Sequence, residues 1–462
     1  TYELKKQPGL ALYESLYRCI REDILSGKLA PGEKLPSKRS LSQHLEVSKI
    51  TVEAAYDQLL SEGFIRSKEK VGYFVEEILR PAPASPVEEP ESPPQTPDPE
   101  SERFPFSVWS RLQREVMLDY SEKLLLPIPS IGIPELRRAI AAHLASFRGM
   151  TVDPENILIG AGTDFLYNIL IQLLGRNLRY GVEDPGYGKI RNIYKAGGVA
   201  CVHIPMDQRG VIPQELKDVQ VLHISPSHHF PTGLITPMDR RQELLQWARE
   251  GNKWIIEDDY DSEFRYKGKP IPSLQASDKK GKVIYIGTFS KAIAPAIRVS
   301  YMVLPQKLLK EYREKCWFYS STVSRIDQHI LNEFISGGYF ERYLNKARKL
   351  YKEKHETLLE ALKPFASNFK ISGEHAGLHI LLTALPRQDR DCKDALGENQ
   401  TDCVSERWLV ESAAEQGVKV FGLSEALIED EVYDSHTVIL GYGGLSKEQI
   451  LDGIEKLKKA WL

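Results

Sequence analysis

Between Leu12 and Ser26 the apolar side chains fall at Leu12, Leu16, Ile20, Ile24 and Leu25, the spacing of a helix with one inward stripe. The stretch GKLAPGEKLP, with Gly27, Pro31 and Gly32, ends that pattern. A second short helix follows, with Ser37 placed to cap it and Leu41 and Leu45 turned inward. Glu46-Val47-Ser48 predicts a tight turn, and Ser48 caps a third helix that runs through Tyr56 and Leu60 to Gly63. FIRSKEKVGYFV then reads as two short strands around a turn. Three helices followed by a two-stranded wing is the order of a winged helix-turn-helix.

Past residue 120 the pattern changes. NILIG, LRYGVED, VACVHI, VQVLHIS, NKWIIEDDY, KVIYIGTFS and RVSYMVL are short β-rich runs, and helical stretches such as 165–174 and 240–249 lie between them. That alternation predicts an α/β fold with a mostly parallel sheet, whose ligands gather at the carboxyl ends of the strands. Residues 79–103 separate the two patterns; they hold eight prolines and many acids, with almost no large apolar residue. Such a segment buries too little surface to offset its ordering entropy and reads as an extended, polyproline-like linker. The expected organisation is therefore a winged-helix module over 1–78, the linker, and an α/β module over 104–462 with a small C-terminal α+β subdomain from about 345.

The net charge of −3 provides no global basic field, so any nucleic-acid surface must be local. No apolar run reaches the about 18 residues that span a bilayer, and TYELKKQPGL lacks the apolar core of a signal peptide. Cys19, Cys201, Cys316, Cys392 and Cys403 are scattered without metal spacing, which predicts free thiols in a reducing cytoplasm and no metal site.

In the first module the start of the third helix is polar: Ser48, Lys49, Thr51 and Glu53 are expected on its outer face. That end enters the major groove in helix-turn-helix proteins, where Lys49 can reach a guanine edge and the hydroxyls of Ser48 and Thr51 suit phosphate oxygens. Ser37, Lys38 and Arg39 at the second helix, with Lys68 and Lys70 in the wing, would hold the flanking backbone. Acids and bases are about equal in number here, so charge alone reads equally well as a solvated face. PGEKLPSKRSL, VSKITVEAAYDQLLSEG and the wing resemble the DNA-binding domain of the GntR family along its whole length. Lys49 stands where that family commonly has arginine, which keeps the charge and loses the bidentate fork.

In the second module, Thr288, Ser290 and Lys291 follow KVIYIG, and Arg298 stands seven residues beyond the lysine. A lysine there can form a Schiff base with an aldehyde while its neighbours hold a phosphate. Asp258 and Tyr260, after NKWII, can pair with a protonated ring nitrogen and donate to a ring hydroxyl. Gly162 and Thr163, in GAGTD, can offer backbone N–H groups to an anion, and Tyr187, in EDPGYGK, can lie over a planar ring. Each signal alone is commonplace. Together, at successive strand ends, they are the set that pyridoxal phosphate requires.

WIIEDDYDSEF, YIGTFSKAIAPAIRVSYMVLP, SPSHHFPTG, EDPGYG and AGLHILL resemble fold type I aminotransferases, and specifically the effector half of MocR-type members of the GntR family. The resemblance covers essentially the whole chain. It implies Lys291 as the internal aldimine, Asp258 on the pyridine nitrogen, Tyr260 on the ring hydroxyl, Thr288, Ser290 and Arg298 on the phosphate, and Tyr187 as the stacker. It also implies a head-to-tail homodimer.

Phe230 stands where these aminotransferases often carry an asparagine; His228 or His229 could substitute for it, a structural surface histidine being the plainer expectation. A GABA-responsive member of the type holds its ligand's carboxylate with two arginines, and the matching places here are Lys189 and Glu425. An acid at the second place argues against GABA and for a ligand with a second amine or cationic end, a D-amino acid or a cell-wall dipeptide among them. The resulting expectation is a cytoplasmic transcription regulator that binds operator DNA and responds to pyridoxal phosphate itself or to an amine or amino acid. The alternative is a working aminotransferase with an accessory DNA-binding domain.

Overall fold

The apolar stripe of α1 (Leu12–Ser26) buries Leu16, Ile20 and Ile24, whereas Leu25 is 43% exposed. Leu25 follows Ile24 and is turned about 100° round the helix from it, outside the stripe. These observations come from a computed structural model that describes residues 11–77, 104–265, 272–374, 377–386, 404–427 and 436–462; the linker expected at 79–103 lies outside them. The chain divides into two compact units, 1–95 and 96–462.

In the first unit α2 (Lys38–His44) and α3 (Lys49–Ser61) close the core around Leu41, Val52, Tyr56 and Leu59. Glu46, in the left-handed region at φ 52°, makes the turn between them. Ser37 and Ser48 cap the two helices by accepting from the backbone N–H groups of Ser40 and Thr51. The wing is the antiparallel pair β1 (Ile65–Lys68) and β2 (Gly72–Val75).

The second unit centres on a sheet of β3 (Ile157–Gly160), β4 (Arg179–Asp184), β5 (Ala200–Asp207), β6 (Gly210–Val211), β7 (Val221–Ile224), β8 (Trp254–Asp259), β9 (Val283–Thr288) and β10 (Ser300–Val303). Their order is β3-β10-β9-β8-β7-β4-β5-β6. The run from β9 to β5 is parallel, and β10 is antiparallel to both its neighbours. One face packs on α4 (Phe106–Tyr120), α5 (Pro134–Arg148), α8 (Met238–Arg249), α11 (Arg325–Ser336) and the start of α12 (Tyr339–Ala361). The other packs on α6 (Thr163–Leu174), α7 (Gly188–Ala196) and α10 (Gln306–Lys315). Covered on both sides, β3, β7, β8, β9 and β10 are buried along their whole length rather than at alternate positions.

The long α12 leaves that core and enters a second one at Leu358. There an antiparallel sheet, β11 (Phe369–Ser372), β12 (His379–Ala384), β13 (Phe421–Gly422) and β14 (Thr437–Gly441), in the order β11-β12-β14-β13, packs with α13 (Glu406–Glu415) and α14 (Lys447–Trp461).

One buried ion pair pins the centre of the large sheet. Arg148, the last residue of α5, lies 2.8 Å from Asp259 at the end of β8, with side chains 3% and 2% exposed. The Tyr285 hydroxyl donates to the same carboxylate, and Arg148 donates to the Ser227 hydroxyl. Removing one partner of a buried pair strands the other charge. Asp259→Asn is expected to destabilise this unit by about 3 kcal/mol or more, read as a lower urea midpoint.

Candidate functional site

The winged helix presents α3 end-on. Lys49 and Ile50 lie exposed in its first turn, Ile50 at 77%. Ser48 and Thr51, expected as phosphate ligands, share a hydrogen bond of 2.8 Å. Lys38 departs further from expectation. Its amine pairs with Glu53 at 2.9 Å and Asp57 at 3.2 Å and lies over the Tyr73 ring, so its charge is neutralised within the module. Ser37, Arg39, Lys68 and Lys70 remain at the surface. The apolar Ile50 has no place in a search for basic residues, and only its exposure draws attention to it.

The second constellation gathers at the carboxyl ends of β3, β4, β7, β8 and β9. Thr288 ends β9 and caps the four-residue helix α9 (Phe289–Ala292), accepting from the Ser290 N–H; Lys291 is exposed on that turn. The Thr288 hydroxyl also accepts from Ser300 at 2.7 Å, so it is a brace of the turn as well as a candidate ligand. The Ser290 hydroxyl is buried with no hydrogen-bond partner among the described residues. Arg298 holds the left-handed conformation, φ 50°, and its guanidinium fills the space above Gly162. A Cβ on Gly162 would lie 2.2 Å from that guanidinium, and the glycine sits at φ +90°. The Gly162 N–H, expected to face an anion, turns back to the Gly160 carbonyl instead. The glycine therefore serves by what it lacks.

Asp164, one residue into α6 from Thr163, pairs with Arg298 at 3.3 Å and with Lys189 at 2.8 Å. The expected ligand-binding cation at Lys189 is thus already compensated. Asp258, at the end of β8, is buried; one carboxylate oxygen accepts from the Tyr167 hydroxyl and lies 3.4 Å from His223 Nε2. Its other oxygen has no partner among the described residues. Tyr260 is half-buried, its hydroxyl 3.3 Å from His228 Nδ1, which in turn lies 2.7 Å from Asp261. His228 and His229 are 4% and 1% exposed, which corrects the surface reading. Burial pushes the His229 imidazole down to about 3 and the neighbouring Glu183 carboxyl up to about 8, so this contact is neutral near pH 7.

Tyr187 is 53% exposed and meets Phe230 edge-on at 5.9 Å. The Gly186 N–H donates to the Ala426 carbonyl, which brings the turn that carries Glu425 to the loop of Tyr187 and Lys189. Glu425 itself is exposed and accepts from the Gly422 N–H. Sequence reasoning missed Asp164, Tyr167, His223 and His379, the last with its ring 5.5 Å from that of His228. Tyr167 had a findable signal, since it lies four residues after Thr163 and so on the same helix face. His223 and His379 had none, because strand pairing and docking of β12 bring them in. Among the described residues no cluster is placed to hold a metal ion, and no helix is long and apolar enough to cross a membrane.

Against known proteins, residues 12–75 match the family model "Bacterial regulatory proteins, gntR family", and residues 97–432 match "Aminotransferase class I and II". The chain belongs to the GntR family of regulators and, by its fused class I/II aminotransferase domain, to their MocR type. It is 39% identical to the HTH-type transcriptional regulator YdeL of Bacillus subtilis (strain 168), across 99% of this chain and 98% of that one. It is 29% identical to the probable rhizopine catabolism regulatory protein MocR of Rhizobium meliloti, across 99% and 95% of the two chains. An archaeal alanine:glyoxylate aminotransferase superposes with a TM-score of 0.66 at 26% identity, covering 79% of this chain and 89% of its own.

Gly162→Ala would drive its methyl group into Arg298 in a backbone conformation that alanine resists. Its expected outcome is a loss of stability of about 1 kcal/mol or more, read as a lower urea midpoint.

Proposed function

We propose that this chain is a transcription regulator whose aminotransferase-like domain binds pyridoxal phosphate and whose grip on operator DNA follows what occupies that site. One observation carries the reading. Two buried polar atoms, Asp258 Oδ1 and Ser290 Oγ, lack partners among the described residues and stand on the strand-end rim that bears Lys291. Such atoms are costly unless a ligand satisfies them. A protonated ring nitrogen suits the first and a phosphate oxygen the second. The residues present therefore fit pyridoxal phosphate, which when bound supplies an aldehyde that reacts with primary amines.

Lys291 would hold the aldehyde carbon, Asp258 the ring nitrogen and Tyr260 the ring hydroxyl. Ser290, Arg298, Thr288 and the start of α6 would hold the phosphate, and Tyr187 would cover the ring. Because Lys291 is exposed, a second primary amine can reach the same seat. With Lys189 paired to Asp164, and an acid at Glu425, the cleft favours an amine or amino acid whose far end is not a bare carboxylate. Large exposed apolar side chains at Leu125 (85%), Trp317 (69%) and Phe318 (63%) support a second copy of the chain as partner.

On the DNA side, Arg39, Lys68 and Lys70 take the phosphates, Lys49 faces the groove, and Ile50 is apolar in the way a thymine methyl group requires.

Four outcomes test this reading. Lys291→Ala should lose the visible absorbance band of the purified protein and its covalent trapping of cofactor by borohydride, while basal DNA affinity stays within about threefold of wild type. Sustained multiple-turnover transamination by the wild type would instead favour an enzyme. Arg39→Ala should weaken operator binding and reduce the slope of log affinity against log salt by about one phosphate's worth. Ile50→Ala should lose about 1 kcal/mol only on half-sites that keep the contacted thymine, with replacement by uracil abolishing the difference.

A further inference from the structure

We propose that His228, held by Asp261, is a positioning residue that turns the Tyr260 proton out into the cleft; this rests on the pyridoxal phosphate reading above and deepens it. His228 is buried on the loop after β7, and Tyr260 and Asp261 follow β8. A single nitrogen faces both partners: His228 Nδ1 lies 2.7 Å from Asp261 Oδ2 and 3.3 Å from the Tyr260 hydroxyl. A carboxylate only accepts, so the short contact assigns a proton to Nδ1. The phenol oxygen therefore meets an N–H on its inner side and finds no lone pair there to take its own proton. That proton is left for an acceptor in the cleft, and the ring oxygen of the cofactor is such an acceptor. Burial and the neighbouring Asp261 charge hold the phenol well above its ordinary range, so it keeps the proton that it offers.

The imidazole is fixed from its other side by backbone. Gly377, at φ +78°, lies so close that a Cβ there would be 2.0 Å from His228 Cε1. Gly377 is itself tied down: its N–H donates to the Phe264 carbonyl at 3.2 Å, and its carbonyl accepts from the Tyr442 hydroxyl at 2.8 Å. The ring is thus backed against Asp261. His379, on β12, faces the same ring at 5.5 Å and donates through Nε2 to the Pro231 carbonyl at 2.8 Å. Burial pushes His379 down to about 4 and His229, next in the chain, down to about 3, so neither brings a competing charge near pH 7. The other charged groups acting on this cluster are Asp258, Asp259, Glu183 and Lys291.

The test follows the pH midpoint of the visible absorbance band in the full-length, cofactor-loaded protein. A donor on the ring oxygen stabilises its charged form; without that donor, the oxygen and the neighbouring nitrogen of Lys291 hold their shared proton to higher pH. His228→Leu removes the N–H and leaves an Asp261 oxygen to draw the phenol proton inward, so its midpoint should rise by about 0.5 to 1 unit. His228→Asn places an amide N–H where Nδ1 stood and should hold the midpoint within about 0.2 unit of wild type. Tyr260→Phe sets the largest shift, and adding His228→Leu to it should move the midpoint no further. A merely structural role for His228 would lower the urea midpoint and leave the pH midpoint in place, which overturns the proposal. Equal shifts in His228→Asn and His228→Leu, or shifts that add in the double variant, overturn it as well. A wild-type protein that stays colourless after incubation with pyridoxal phosphate would instead overturn the underlying cofactor reading, and the positioning role with it.

Discussion

The site depends on two adjacent carboxylates facing opposite ways. Asp258 and Asp259 are consecutive on β8, and side chains alternate between the faces of a strand. Asp259 is drawn to the α5 face by Arg148 and Tyr285. Its neighbour must then point to the α6 face, where Tyr167 and His223 receive it. A slip of one residue would exchange the two faces, turning Asp259 to the α6 side and Asp258 to the α5 side. The pairing of β8 with β9, Asp258 opposite Ile286 and Asp259 opposite Gly287, holds that register. The ion pair thus contributes mainly by specifying an orientation, the role in which buried charges are best attested.

α6 collects the remaining requirements of the cleft into one rigid element. Its N-cap is a glycine because the Arg298 guanidinium occupies the place of a side chain, and its first turn carries Asp164, which balances both Arg298 and Lys189. Its second turn reaches Asp258 through Tyr167. A cleft organised in this way has few uncommitted charges, and the amine of Lys291 and the aromatic rings of Tyr187 and Phe230 are among the side chains it leaves at least partly exposed. The winged helix shows the same economy. Lys38 is spent on Glu53 and Asp57, and what α3 offers at its tip is a mixture of one cation, hydroxyls and an isoleucine. Such a tip carries little net charge, in keeping with a chain of net charge −3.

Much of this was determined by the sequence alone. Helix stripes, caps at Ser37 and Ser48, the wing, the alternation of apolar strands with helices, and the polar residues at strand ends are local or periodic features, set by side-chain size and backbone geometry within a few residues. The family follows from motifs of the same local kind. Tertiary structure alone decided how those residues are used. Whether Lys38 meets a phosphate or Glu53, whether Lys189 is open or held by Asp164, and whether His228 lies at the surface or within the cleft depend on partners 15 to 33 positions away. So does the convergence of Tyr167 and His223 on Asp258, across 91 and 35 positions. Periodicity reports which face a side chain takes, but the charge or hydroxyl that it meets there is set by strand order and helix packing, which no short window of sequence contains.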